Sequence, residues 1–163
     1  MVKLNDKKYK AAFMYLLNEL EKIQGKKKAC KLLYFLDFDF FEAYDESFTG
    51  ETYYKYNLGP FTKYFEDSIK ELEKEGYVET EKIRMSPAHN NDTNIYKAKK
   101  KLAYKFDDNE KRMLKRIARI YGVQSGKELE DLSHTEAPWQ AVEMRQSIPY
   151  EFAYYREKRN LKE

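Results

Sequence analysis

"LSHTEAPWQAV", residues 132–142, holds one of the chain's two histidines, His134, its only tryptophan, Trp139, and Glu136 between them. A histidine and a carboxylate beside an aromatic ring are ingredients of acid/base chemistry or of a metal site. Five side chains stand out as metal-ligand candidates: His134, Glu136, His89, Asp37 and Asp39. A zinc or iron centre gathers three or four ligands from rigid elements at spacings such as H-E-x-x-H, and no such spacing occurs here. Cys30 and Ser133 are the candidate nucleophiles, yet neither has a second histidine on a rigid element to act as base, and no G-x-S-x-G elbow appears. The six glycines are scattered, so no phosphate cradle is formed. Asp37 and Asp39 are two apart on an apolar helix and point about 200° away from each other, so they do not form an acid/base couple. One is expected to face water and the other to cap or pair, with Asp37 placed to accept from a tyrosine of "TYYKY". The sequence therefore predicts no catalytic residue, no cofactor and no metal.

Those residues sit in a chain of 163 residues, the size of one ordinary domain, and the reading is a single domain over 1–163 with its core at about 5–157. Hydrophobic residues make up 42% and aromatics 16%, enough apolar surface to offset chain ordering and exclude disorder. The first ten residues, "MVKLNDKKYK", lack the apolar core of a signal peptide, and the most apolar run, "LLYFLDFDFF", is broken twice by aspartate, which excludes a membrane span. One cysteine cannot build a disulfide framework. The expected compartment is the cytoplasm.

Apolar spacing predicts a first helix burying Tyr9, Ala12, Phe13, Leu16, Leu17, Leu20 and Ile23, capped by Asn5 or Asp6 and stopped by Gly25. From Lys26 a second helix is apolar on more than one face and should be the most enclosed. "ETYYKYN" reads as a short strand, after which Leu58-Gly59-Pro60 should turn into a helix with Pro60 at its first position and Phe61, Tyr64, Phe65, Ile69 and Leu72 in its core stripe. "YVETEKIRM" and "NIYKAKK" read as strands joined by the turn chemistry of "SPAHNNDT". Three further helices are expected: one capped by Asp107 or Asp108, one opened by a Ser125/Glu128 capping box, and a short one opened by Pro138. Pro149 is placed to open a last one. The fold class is α+β, mainly helical, with a helical core, a small antiparallel hairpin and a winged-helix-like middle.

Net charge is +3 but unevenly spread: residues 1–31 carry nine lysines against three acids, and residues 32–76 four lysines against eleven acids. A winged helix that read DNA would insert "PFTKYFEDSIKELEKEG", which has three lysines, five acids and no arginine, so phosphates would repel it. Nucleic-acid binding through the basic hairpin, Lys97 to Lys101, is the alternative reading, expected to be weak or absent and steeply salt-dependent. The exposed acids Glu66, Asp67, Glu71 and Glu73 instead suggest a face that meets a basic partner.

"KLLYFLDF", "TGETYYKYNLGPF", "LEKEGYV", "YGVQSGKELEDLSHTEAPWQAV" and "IPYE", in that order, together resemble the SocA-like antitoxin domain, also called the Panacea domain. The resemblance runs from about Lys28 to about Tyr155. It rests on Lys31, Tyr34, Asp37, Gly50, Tyr53, Gly59, Pro60, His134, Pro138 and Trp139, with Phe35, Gly76, Leu132, Ile148 and Pro149 in support. It implies a non-enzymatic antitoxin of the kind found in bacterial, archaeal and phage toxin–antitoxin pairs, whose partner is a cognate protein toxin encoded nearby; a homodimer stays open. The second helix ends "DFFEAY", without the histidine expected near that point in many members.

"LSHTEAPWQAV" itself then reads as a packing corner between two helices. His134 should hydrogen-bond a helix end or Tyr34 or Tyr53, and Glu136 should favour the N-terminus that Pro138 opens. On that reading Trp139→Ala costs about 3–5 kcal/mol and His134→Ala roughly 1–3 kcal/mol.

Overall fold

A computed structural model describes residues 2–84 and 92–162. The chain starts with helix α1, Asp6–Leu20, whose N-cap Asn5 accepts from the Lys8 amide at 3.0 Å. The helix stops at Leu20, five residues before Gly25. Glu21 turns the chain at φ 68°, and strand β1, Lys22–Gln24, follows with Ile23 buried. The helical period therefore overreached: a strand pairing with β5, Thr93–Ala98, takes Ile23, and Gly25 at φ 98° lets the chain enter the next helix.

Helix α2, Lys26–Tyr44, is buried without a break from Ala29 to Phe41 and packs against α1, β1, β3 and the helical segments of the last third, which makes it the axis of the fold. Asp45 ends it in the left-handed conformation, its amide bonding the Phe41 carbonyl at 2.8 Å. Strand β2, Tyr53–Tyr56, and strand β3, Gly59–Thr62, then form a two-residue hairpin. Pro60 thus lies in a strand and does not open a helix. It sits opposite Lys55, whose own backbone groups bond outward to Gln146 O and Arg145 N, so the missing amide of Pro60 leaves no gap in the ladder.

Helix α3, Phe65–Lys74, buries Phe65, Ile69 and Leu72, while Phe61 belongs to β3. Strand β4, Val78–Ile83, pairs with β5 along its whole length, and β1 adds to the other side of β5 to give the order β1-β5-β4. The β2–β3 hairpin stands between α2 and α3, where a winged helix has a tight turn. The connection expected at "SPAHNNDT", with His89, lies outside the described residues through position 91.

Helix α4, Asp108–Ile120, opens with a complete Asp107/Glu110 capping box, and helix α5, Gly126–His134, with the Ser125/Glu128 box. Both boxes close over three residues, which is why local sequence suffices to place them. Helix α6, Ala137–Gln140, carries Pro138 in its first turn, and Pro149 leads into a 3-10 helix, Tyr150–Tyr155. The architecture is α+β and mainly helical, with α4 and α5 packed on α2 and the three-stranded sheet on α1. No helix among the described residues is long and apolar enough to cross a membrane.

Candidate functional site

Of the side chains singled out by type and spacing, Asp37 and Asp39 lie on α2 and Glu136 reaches it through the Tyr34 hydroxyl, so that each ties the helix to a later segment. Asp37 is fully buried. Its Oδ1 accepts from the Thr49 amide at 2.6 Å, and its Oδ2 accepts from Thr49 Oγ1 and from the Tyr53 hydroxyl, both at 2.6 Å. Burial pushes this carboxyl up to about 6, against the pull of the three donors. Gly50 lets the loop come in: it sits at φ 79°, and a Cβ there would stand 2.1 Å from Lys3 O. The tyrosine partner read from "TYYKY" is therefore Tyr53.

One and a half turns toward the start of α2, Lys31 is 2% exposed and its Nζ donates to Pro60 O at 3.0 Å. Burial lowers its ammonium to about 8. Gly59, at φ 104°, is required by the same contact, since a Cβ would meet Lys31 Cε at 2.3 Å and Ser133 Oγ at 2.7 Å. Lys31 and Gly59 border a cleft of about 430 Å³ between the first turns of α2 and the β2–β3 hairpin.

Asp39 does not face water. It is as buried as Asp37 and anchors an ionic network: Oδ2 accepts from Arg116 Nη1 at 2.7 Å and the Tyr121 hydroxyl at 3.0 Å, and Oδ1 accepts from Arg156 Nη2 at 2.7 Å. Arg156 also reaches Glu42 at 3.0 Å and Glu136 at 3.3 Å. Glu136 takes Arg159 Nη2 at 2.8 Å and the Tyr34 hydroxyl at 3.0 Å. Glu136 precedes α6 as expected, but its carboxylate serves this network and makes no capping bond. A buried carboxylate on an apolar helix signals that a cation must be found. Which arginine answers Asp39 is not visible in a spacing of 77 or 117 residues.

The corner at 132–142 is built differently from its expected form. His134 reaches neither Tyr34 nor Tyr53; its ring stacks on Trp139 with centroids 4.2 Å apart, and its Nε2 is buried with no hydrogen-bond partner among the described residues. Trp139 is only half-buried, donates Nε1–H to Tyr56 O at 3.0 Å and lies under Lys55 Nζ at 4.1 Å. Pro138 is buried. These contacts join α6 to the hairpin through two layers of weak interactions. Because the indole is only partly enclosed, Trp139→Ala is expected to cost about 1–3 kcal/mol, below the value for a fully enclosed ring, and His134→Ala under about 1 kcal/mol, since it loses a stack but relieves an unpaired nitrogen. Urea midpoints of the two variants check this; equal losses would show that the pair acts as one unit.

The candidate nucleophiles are tied into the fold. The Cys30 thiol is pushed up to about 11 by burial, which suppresses the thiolate, and Ser133 Oγ donates to Glu130 O at 2.8 Å. Among the described residues no group of three or more His, Cys, Asp or Glu is placed to hold a metal ion.

This use of residues from α2, the β2–β3 hairpin and the α5–α6 corner coincides with a family signature. The family model for the SocA-like antitoxin, Panacea domain, matches residues 30–140. The chain belongs to that family. No curated protein and no solved structure matches it. The matched span of this Panacea domain runs from the first turns of α2 to the end of α6 and contains every residue on which the resemblance chiefly rests. Arg156 and Arg159, which close the network on Asp39 and Glu136, lie beyond it.

Proposed function

We propose that this Panacea domain is the antitoxin of a toxin–antitoxin pair, a non-enzymatic protein of the cytoplasm that neutralises a cognate protein toxin by direct binding. The family match over residues 30–140 carries the reading. The candidate catalytic side chains support it, because Asp37, Asp39, Cys30 and Ser133 are all buried and committed to internal packing or bonds. The basic hairpin offers less to nucleic acid than its sequence suggests, since Lys97 pairs with Glu81 at 2.8 Å and Lys100 lies over the Tyr77 ring.

The acidic face of α3 is the proposed toxin-facing surface. Glu66 is paired with Lys26, and Glu71 with Lys10 and the Tyr64 hydroxyl, whereas Asp67 and Glu73 are exposed with no ion-pair partner among the described residues. The free charge is therefore at Asp67 and Glu73. Growth arrest by a small protein encoded beside this gene, relieved by co-expression of this chain, tests the function; arrest that persists overturns it. In the same assay the Asp67→Lys/Glu73→Lys double variant is expected to fold normally and to associate about tenfold more slowly at low ionic strength. An unchanged association rate would move the interface off α3.

A further inference from the structure

We propose that the cleft between the first turns of α2 and the β2–β3 hairpin binds an acidic segment of the toxin. One carboxylate side chain of that segment pairs with Lys31 Nζ, and a neighbouring apolar side chain packs on Phe61 and Leu58. The proposal rests on the antitoxin reading and adds a second contact to the α3 face, to which the cleft is joined through the Lys26–Glu66 pair.

Charge complementarity selects the occupant. Three lysines line the cleft, and two bring their own carboxylates: Lys26 pairs with Glu66, and Lys27 with Glu130 at 2.7 Å. Lys31 does not. Its ammonium is nearly enclosed, has three donor hydrogens, and is met by one backbone carbonyl, with no carboxylate within 4.0 Å among the described residues. A buried cation with no carboxylate in contact, on which Glu130 acts only through space while bonded to Lys27, is costly to the free protein, and an incoming carboxylate would recover part of that cost at the interface. A neutral ligand would not.

The rest of the lining is mainly apolar or aromatic, from Tyr56, Leu58, Phe61 and Cys30, with Asn57 and Gly59 at the turn. Leu58 is 59% exposed at the tip of a two-residue hairpin, where polar turn residues are the rule. An apolar residue held out at that point suits contact with another chain. The volume of about 430 Å³ lies within the roughly 300–1,000 Å³ of ligand clefts. Its walls come from two segments only, residues 26–31 and 56–61.

The test is an amide-shift titration of the full-length ¹⁵N-labelled protein with the blocked peptide acetyl-Gly-Phe-Glu-Gly-amide and its Phe-Gln counterpart. Saturable shifts are expected at Lys31, Leu58 and Gly59, with the Glu peptide bound at least tenfold more tightly. Lys31→Met should abolish that preference, and Leu58→Glu, at an exposed position, should weaken the Glu peptide without touching the core. With rescue by the parent established, both variants should lose at least tenfold in toxin affinity. Equal binding of the two peptides, or full toxin affinity in Leu58→Glu, overturns the cleft and leaves the antitoxin reading standing. A dimer of this chain that Lys31→Met dissociates would also overturn it, by assigning the cleft to a second copy. Failure of the parent to rescue removes the toxin assignment, while the peptide result decides separately whether the cleft holds a carboxylate.

Discussion

Asp39→Ala is expected to destabilise the protein by about 3–5 kcal/mol, the loss that follows when one partner of a buried ion pair is removed and the other stays. The side chains of Arg116 and Arg156 are 4% and 0% exposed, and Asp39 is the carboxylate they share. Arg156 would keep Glu42 and Glu136, but among the described residues Arg116 would keep only the Asn160 carbonyl, at 3.1 Å, and the face of the Tyr121 ring. The uncompensated charge would therefore be that of Arg116. Arg156→Met should cost less, because Asp39 keeps Arg116 and Tyr121 while Glu136 keeps Arg159 and Tyr34. Urea denaturation of the two variants checks the order. A loss below about 1 kcal/mol for Asp39→Ala would mean that water enters the site and solvates the guanidinium.

Asp37→Ala is expected to cost about 3 kcal/mol, chiefly because the Thr49 amide cannot turn to another acceptor, whereas the Tyr53 hydroxyl still has Leu33 O at 2.9 Å. The same carboxylate has a pH signature. Its folded-state value of about 6 lies above the roughly 3.9 of an unfolded aspartate, so between those values the native state binds more protons than the unfolded chain. The contribution of Asp37 to stability therefore rises as pH falls from about 7 toward 4, by on the order of 3 kcal/mol in all. Glu71 and Glu130, held below the usual carboxylate range by Tyr64 and Lys10 and by Lys27, work in the opposite direction. Asp37→Asn isolates the effect, since it keeps the shape and removes the titration. The stability of the parent relative to Asp37→Asn should increase between pH 7 and pH 4.5 in chemical denaturation. If it decreases, the three donors outweigh burial and Asp37 is held as a stable buried anion.

Much of this molecule is legible in short stretches of its sequence. The capping boxes at Asp107/Glu110 and Ser125/Glu128, the Asn5 cap, and the all-round apolar surface of residues 29–41 depend on groups within a turn or two of each other. An aspartate on α2 near a tyrosine-rich strand likewise pointed to a bond from Asp37 to one of the "TYYKY" tyrosines, and packing made it Tyr53. The motif strings were enough to indicate the family, which the match over residues 30–140 shows.

Other features were decided only when distant segments met. Ile23 fits a helical stripe, yet its partner Tyr96 is 73 positions away, and pairing with β5 converts the end of the predicted helix into a strand. Pro60 looks like a helix opener until Lys55 turns its backbone groups toward residues 145 and 146. His134 has the chemistry to bond a tyrosine, but Glu136 occupies Tyr34 first and Asp37 holds Tyr53. The physical reason is common to all three. A cap, a stripe or a turn is settled by neighbours along the chain, whereas a strand edge, a buried charge or a polar tip accepts any suitable partner, and only the packing of α2 within its shell determines which one arrives.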